Sequence, residues 1–332
     1  MTCVNNNIIK KDSPWVEKYR PKIVKNIISQ EEVINSLNSI IKNGNLPHLL
    51  FHGPSGVGKT TTALALCYQL FGPSYKNRVL ELNASDDRGI DVVRKKIKIF
   101  ATLSVGNSPH GFHCPPFKII ILDEVDNMTQ DAQAALRRIM EKYSHITRFI
   151  LICNYITHII DPINSRCAKF RFKYMNSIMM HTHLREIAFS EKFKINDDTI
   201  TCIINISNGD MRHAIMILQT GIILYGSFLY PHHILDISGY INDNIIKKIL
   251  NECKNKNFDN ASNLVIKSLS DGFTANQILL QLSDNLNKIN YLSNKNYGII
   301  SIAISKVDYK LSCGADQKLQ LLEVIGTIIR NS

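Results

Sequence analysis

Between residues 34 and 172 the chain alternates short, nearly continuous apolar runs with longer stretches whose apolar positions return every three or four residues. The short runs, at 48–52, 79–83, 117–122, 148–153 and 168–172, have the length and composition of strands buried on both faces. The longer stretches, at 60–71, 90–100 and 130–143, carry the helical period. That alternation predicts βα units and a parallel sheet. Residues 106–116 hold Gly106, Pro109, Gly111, Pro115 and Pro116 and predict a loop.

Strand patterns fade after Tyr174. Helices are predicted at 176–191, 198–206 and 211–224, which makes a small bundle. Asn208-Gly209 ends the second, and the Asp210 carboxylate is placed to cap the third. From residue 231 the helical pattern returns, in stretches such as 242–255 and 275–288. Of 32 asparagines, 11 fall between 251 and 300, yet the leucines and isoleucines there keep a helical period. A third, all-helical domain is therefore predicted rather than a polar tail. The expected domains are 1–174, 175–235 and 236–332. No internal repeat is visible.

Composition adds a few constraints. Hydrophobic residues make up 45% of the 332 and charged residues 20%, which excludes wholesale disorder. The net charge of +11 favours an anionic partner, nucleic acid or a membrane surface. No stretch approaches 18 uncharged apolar residues, so no membrane span is expected. The eight cysteines are scattered, with no C-x-x-C pair, so free thiols are expected and a structural zinc site is not. The N-terminal MTCVNNNIIKK lacks the apolar run of a secretory signal, and an intracellular setting is expected.

The sharpest motif is Gly53-Pro54-Ser55-Gly56-Val57-Gly58-Lys59-Thr60, which fits G-x-x-x-x-G-K-[ST]. Glycines let successive N–H groups turn inward around phosphate oxygens where a Cβ would block approach. Lys59 supplies a cation to those phosphates and Thr60 a hydroxyl for Mg2+. A strand before the loop and a helix after it, running on from Thr61, are the context this chemistry requires. Further on, the apolar run 119–122 ends in Asp123-Glu124. In a hydrolytic site one carboxylate holds the metal and another orients the attacking water; the alternative is that both cap the next helix. The run 149–153 ends in Asn154, an amide for the same edge or simply a turn former.

In this order these residues resemble the AAA+ ATPases, and within them the small subunits of replication factor C, the sliding-clamp loader. The resemblance also rests on Trp15-Val16-Glu17-Lys18-Tyr19-Arg20-Pro21, on residues 80–89 containing Asn83-Ala84-Ser85-Asp86-Asp87-Arg88-Gly89, on Ala134-Ala135-Leu136-Arg137-Arg138-Ile139-Met140-Glu141, on Ser165-Arg166-Cys167 and on Gly209-Asp210-Met211-Arg212. It covers most of the first 220 residues and weakens after about 230. Val125 stands where the family usually has Ala. The resemblance implies an AAA+ P-loop α/β domain, a small helical lid and an all-helical collar through which subunits assemble.

It further implies ATP and Mg2+ as ligands, with Val16, Tyr19, Arg20 and Ile28 bordering the adenine and residues 53–61 the phosphates. Lys59, Asp123, Glu124 and Asn154 are the implied catalytic set, with Thr60 and Asp123 on the metal. Arg212 matches an arginine that the family points at the γ-phosphate. Arg166 matches a finger inserted into a neighbour's site, although local pairing with Asp161 or Glu141 stays open. The implied partners are other replication factor C subunits, the sliding clamp PCNA and primer–template DNA, in the nucleus. For DNA, Arg88, Arg94 and Lys98 form a basic strip off the apolar stripe Ile90, Val93, Ile97, Phe100, with Arg94 and Lys98 stacked one helical turn apart. Arg137 and Arg138 are weaker candidates. A merely solvated face would look the same. Three readings of function remain at this point: a hydrolysing clamp-loader subunit, an ATP-binding scaffold of the same ring with little hydrolysis of its own, and a small-molecule P-loop kinase.

Overall fold

The computed structural model describes residues 13–27, 30–44, 46–84, 93–103, 114–226, 228–286 and 293–332. Ile28 and Arg88 lie outside the described residues, as does the side chain of Arg94. The chain divides into two compact units, Met1–Gln219 and Thr220–Ser332.

Five parallel strands form the sheet of the first unit: β1 (His48–His52), β2 (Val79–Asn83), β3 (Lys118–Asp123), β4 (Thr147–Cys153) and β5 (Cys167–Arg171). Their order is β2-β3-β4-β1-β5. The register pairs Leu50 with Leu151 and Lys169, and Ile121 with Glu81 and Ile150. Alternation explains why the central strands are apolar throughout. Leu49, Phe51, Ile119, Ile121, Ile150 and Ile152 face the helices Glu31–Asn43 and Lys59–Phe71. Leu50, Ile120, Leu122, Phe149 and Leu151 face the other way, against the helix Gln130–Lys142. Burying each such side chain contributes roughly 1.5–3 kcal/mol. The edge strands differ from the expectation: β2 exposes Glu81, and β5 exposes Lys169 and Arg171, because each lacks a neighbour on one side.

Since β1, β4 and β3 are adjacent and parallel, the segments leaving their carboxyl ends emerge side by side. Ligands of such sheets bind at that edge. The helices Ser177–Ser190 and Asp197–Ser207, together with the start of Met211–Tyr225, complete the first unit.

In the second unit the helices Asp243–Lys254, Phe258–Ser270, Ala275–Leu286, Asn294–Ser312 and Gln317–Asn331 enclose a core that includes Ile249, Val265, Leu282, Val324 and Ile328. Its asparagines serve the helices: Asn242 and Asn257 cap two of them by accepting the Asn244 and Asn260 N–H groups. Gln281, buried, meets both the N–H and the C=O of Ile241 at 3.0 and 2.9 Å. Among the described residues no helix is long and apolar enough to cross a membrane, and no cluster of three or more His, Cys, Asp or Glu could hold a metal. Cys67, Cys114, Cys153, Cys167 and Cys253 are buried free thiols.

One expected helix changes character. Residues Val93–Ile97 form a π-helical turn before the α-helix Lys98–Thr102. Such a turn closes i→i+5 hydrogen bonds in place of the i→i+4 bonds of an α-helix.

Candidate active site

The phosphate-loop motif links the end of β1 to the helix Lys59–Phe71 and bends through left-handed conformations at Gly53, Gly56 and Gly58. Two of these glycines are required by space as well. A Cβ on Gly53 would stand 2.3 Å from the Phe172 carbonyl oxygen, and one on Gly56 1.7 Å from the Asp210 carboxylate. Val57 is wholly buried and anchors the loop to the core. Lys59 is nearly covered, and its Nζ donates to the carbonyls of Gly53 (2.7 Å) and Pro54 (2.6 Å) and to Asn154 Oδ1 (2.9 Å). Burial lowers the Lys59 pKa; Asp123 opposes that shift, and the nearby charge of Arg212 adds to it.

Asp123, the last residue of β3, turns one oxygen to the Thr60 hydroxyl, which donates at 2.6 Å, and the other to the Glu124 N–H at 2.9 Å. Glu124 adopts φ 55°, a left-handed conformation that costs a non-glycine residue of order 1 kcal/mol or more. Its carboxylate accepts from Asn127 Nδ2 at 3.1 Å. Neither acid caps the following helix; Thr129 does so, accepting from the Ala132 N–H. The capping alternative is therefore excluded by the geometry.

Asn154 is pinned from behind. Asp126 Oδ2 accepts the N–H groups of Asn154 (3.1 Å) and Tyr155 (3.2 Å). Asp126 closes the same four-residue block as Asp123, Glu124 and Val125, but its tie to the turn after β4 carries no signal in the sequence.

These groups open on a cleft of about 240 Å³ that Val16, Tyr19, Arg20, Thr61, Arg212 and Met175 also line. Ile27 borders it as well. The N-terminal wall is strapped to helices distant in sequence. The Trp15 N–H donates to Gln219 Oε1 at 3.0 Å, while Lys18 Nζ and the Tyr19 hydroxyl donate to Glu191 Oε1 at 2.5 and 2.6 Å. Burial and the Glu191 carboxylate raise the Tyr19 pKa, so its hydroxyl stays a donor. His183 also faces the cleft; burial holds its pKa down, against the pull of Glu186. Glu191, Gln219 and His183 carry no signal in the sequence, because only the packing of the helices brings them near residues 15–20.

Arg212 is exposed at the start of its helix and lines the cleft. The Asn208-Gly209 corner and the Asp210 cap are as expected: both residues before Asp210 have positive φ, and Asp210 Oδ1 accepts the His213 N–H at 3.0 Å. Arg166 does not line this cleft. It pairs with Glu141 at 2.6 Å and donates to the Pro162 carbonyl at 2.7 Å, so of its two local partners Glu141 is the one engaged. Lys98 is exposed on its helix, as is Lys95 on the turn before it.

Three family models match the chain: the ATPase family associated with various cellular activities over residues 49–174, the RCF1/5-like AAA+ ATPase lid domain over 182–222, and the replication factor C C-terminal domain over 241–327. Replication factor C subunit 2 of Oryza sativa subsp. japonica is 46% identical, over 97% of this chain and 96% of its own. Human replication factor C subunit 4 is 46% identical over 96% of this chain and 89% of its own. The replication factor C small subunit of the archaeon Picrophilus torridus is 43% identical, over 95% and 96%. Among solved structures the fold is similar to the Thermotoga maritima RuvB Holliday junction branch migration motor, with a TM-score of 0.52, 18% identity, and coverage of 70% of this chain and 78% of that one.

Proposed function

The chain belongs to the replication factor C small-subunit family, and it is an ATPase subunit of the clamp loader that serves DNA replication; from that premise we propose how its residues carry the reaction. The family works as a hetero-oligomeric assembly, and the nucleotide proposed for this chain is ATP with Mg2+. The observation that carries the proposal is the convergence of Lys59, Thr60, Asp123, Asn154 and Arg212 on one cleft at the carboxyl edge of the sheet.

Backbone N–H groups of the loop 53–60 hold the phosphates, and Lys59 neutralises them. Thr60 and Asp123 suit magnesium, since they are hard oxygen donors already 2.6 Å apart. When bound, that ion supplies positive charge to the phosphate oxygens. Glu124, held in its left-handed turn, orients the attacking water, and Asn154 fixes that water from the neighbouring strand. Val16, Tyr19, Arg20 and Ile28 border the base, a role supported for the first three by their place on the cleft wall. Arg212 meets the γ-phosphate from the lid. Arg166 acts on a neighbour's nucleotide, a reading supported by its absence from the lining of its own chain's cleft.

The working division is an ATPase domain at 1–174, a lid at 175–235 and a collar at 236–332; the matches at 49–174, 182–222 and 241–327 fall inside these bounds. Proposed partners are other replication factor C subunits, the clamp PCNA and primer–template DNA, the last met by Arg88, Arg94 and Lys98. The eukaryotic relatives support a nuclear setting.

The test is steady-state ATPase of the reconstituted complex. Lys59→Ala removes nucleotide binding in this subunit. Arg166→Ala leaves this subunit's binding intact and slows the adjoining site by on the order of 10³ or more. Unchanged DNA-stimulated turnover in both variants defeats the assignment.

A further inference from the structure

Asp210 does more than cap a helix. Its Oδ1 accepts the His213 N–H at 3.0 Å, and its Oδ2 accepts the Ser55 hydroxyl at 3.0 Å, so one carboxylate joins the first turn of the helix Met211–Tyr225 to the apex of the phosphate loop. A second link runs the other way, from the Met211 N–H to the Gly56 carbonyl at 3.2 Å. The two segments press together so closely that the carboxylate occupies the space a Cβ on Gly56 would need, 1.7 Å from Oδ1 and 2.1 Å from Cγ. Gly56 thus serves this contact as well as its own φ of +64°.

The chain approaching Asp210 is equally constrained. Asn208 and Gly209 both have positive φ, and a Cβ on Gly209 would stand 3.0 Å from the Tyr174 ring. The Asp210 N–H is tied to the Ser207 carbonyl at 2.9 Å. Residue 210 is therefore delivered to the loop by a corner with little freedom. A carboxylate suits the position because it only accepts, and both groups facing it are donors. Arg212 follows two residues later, on the same first turn.

We propose that Asp210 is a positioning residue: it latches the apex of the phosphate loop to the turn that carries Arg212, so that the guanidinium is set against the γ-phosphate by the same loop that holds the phosphates. The proposal rests on the reading of Arg212 given above. Its consequence is that the preference for ATP over ADP weakens when the latch is lost.

Two substitutions separate the latch from the cap. Asp210→Ser keeps a hydroxyl able to cap the helix but too short to reach Ser55. Asp210→Asn keeps both links, its oxygen accepting from His213 and its amide donating to the Ser55 hydroxyl. With the full chain and Mg2+, the dissociation constants for ADP and for ATPγS are measured by titration calorimetry, and their ratio is the readout. Arg212→Ala removes the preference for ATPγS. Asp210→Ser lowers the ratio by roughly fivefold, the scale of coupling between contacting groups, while Asp210→Asn retains it. Asp210→Ser has no further effect on the ratio in an Arg212→Ala background.

If Asp210→Ser weakens both nucleotides equally and leaves the ratio unchanged, Asp210 is only a cap and the proposal is overturned. It is overturned equally if Asp210→Asn is as defective as Asp210→Ser. Should Arg212→Ala itself leave the ratio untouched, the reading of Arg212 falls, and the latch with it.

Discussion

His48 lies at the start of β1, and its Nδ1 accepts the Phe149 N–H at 3.1 Å, which requires that nitrogen to be unprotonated. Burial, helped by the charge of Arg148, lowers its pKa to about 4. Between pH 6.5 and 4 the unfolded chain therefore takes up a proton that the folded chain refuses. Stability is fully present above the unfolded value and declines as pH falls through that window, by at most about 1.4 kcal/mol per pH unit from this group. Urea unfolding at pH 7 and at pH 5 should show the decline. His48→Asn, which keeps an acceptor for Phe149 but cannot titrate, should flatten it; an unaltered pH slope would contradict the account. Cys153 beside the site behaves differently. Burial and Asp126 push its thiol up to about 12, so it stays protonated and adds no charge near Lys59.

At the scale of elements, the short segment Val125–Asn127 does unexpected work. It lies between β3 and the helix Gln130–Lys142, and through Asp126 it fixes the turn after β4. Asn154 thereby reaches Lys59 from a defined position rather than from a free loop end. Replacing Asp126 with Ala takes the acceptor from two backbone N–H donors and lets Asn154 drift. Turnover per site should fall roughly tenfold, as losing hydrogen bonds to a charged group commonly costs. Asp126→Asn should recover part of that, since one amide oxygen still accepts. ATPase measurements on the assembled complex decide it, and equal activity of Asp126→Ala and the parent would refute the role. Gln133 makes a comparable tie. Buried, it donates to the His158 carbonyl at 3.0 Å and accepts the Ile160 N–H at 3.0 Å, joining the helix Gln130–Lys142 to the segment that leads to Arg166.

For the molecule as a whole, a net charge of +11 is consistent with a polyanionic partner. Lys98 and Lys95 stand exposed on one segment beside the sheet. If this face meets the DNA backbone, replacing Arg88, Arg94 and Lys98 together weakens binding to every sequence alike. The slope of log affinity against log salt should become shallower by about 0.9 for each phosphate no longer neutralised. Fluorescence anisotropy of the assembled loader on a primed template, at several salt concentrations, measures this. Identical slopes for variant and parent would remove the DNA role from this face. The absence of aromatic side chains in the strip agrees with backbone rather than base recognition.

Much of this was written in local order. The apolar runs 48–52 and 79–83 are β1 and β2 to the residue, and the other three strands shift by only one position; the central three are clearest because strands buried between layers need unbroken apolar sequence. The glycine loop, Lys59, Thr60 and the Asp123-Glu124 pair were equally legible, since phosphate chemistry demands particular residues at fixed spacing on one continuous segment. Contacts between distant segments were not. That Asp126 holds Asn154, that Glu191 and Gln219 secure residues 15–19, that Glu141 rather than Asp161 takes Arg166, and that Asp210 reaches Ser55 all depend on which helix packs where. Such pairs join residues up to 204 positions apart, and nothing in either partner's neighbourhood announces the other. Local sequence specifies backbone conformation and which face seeks burial; the partner of a polar side chain is settled only when the packing of those faces brings distant segments side by side.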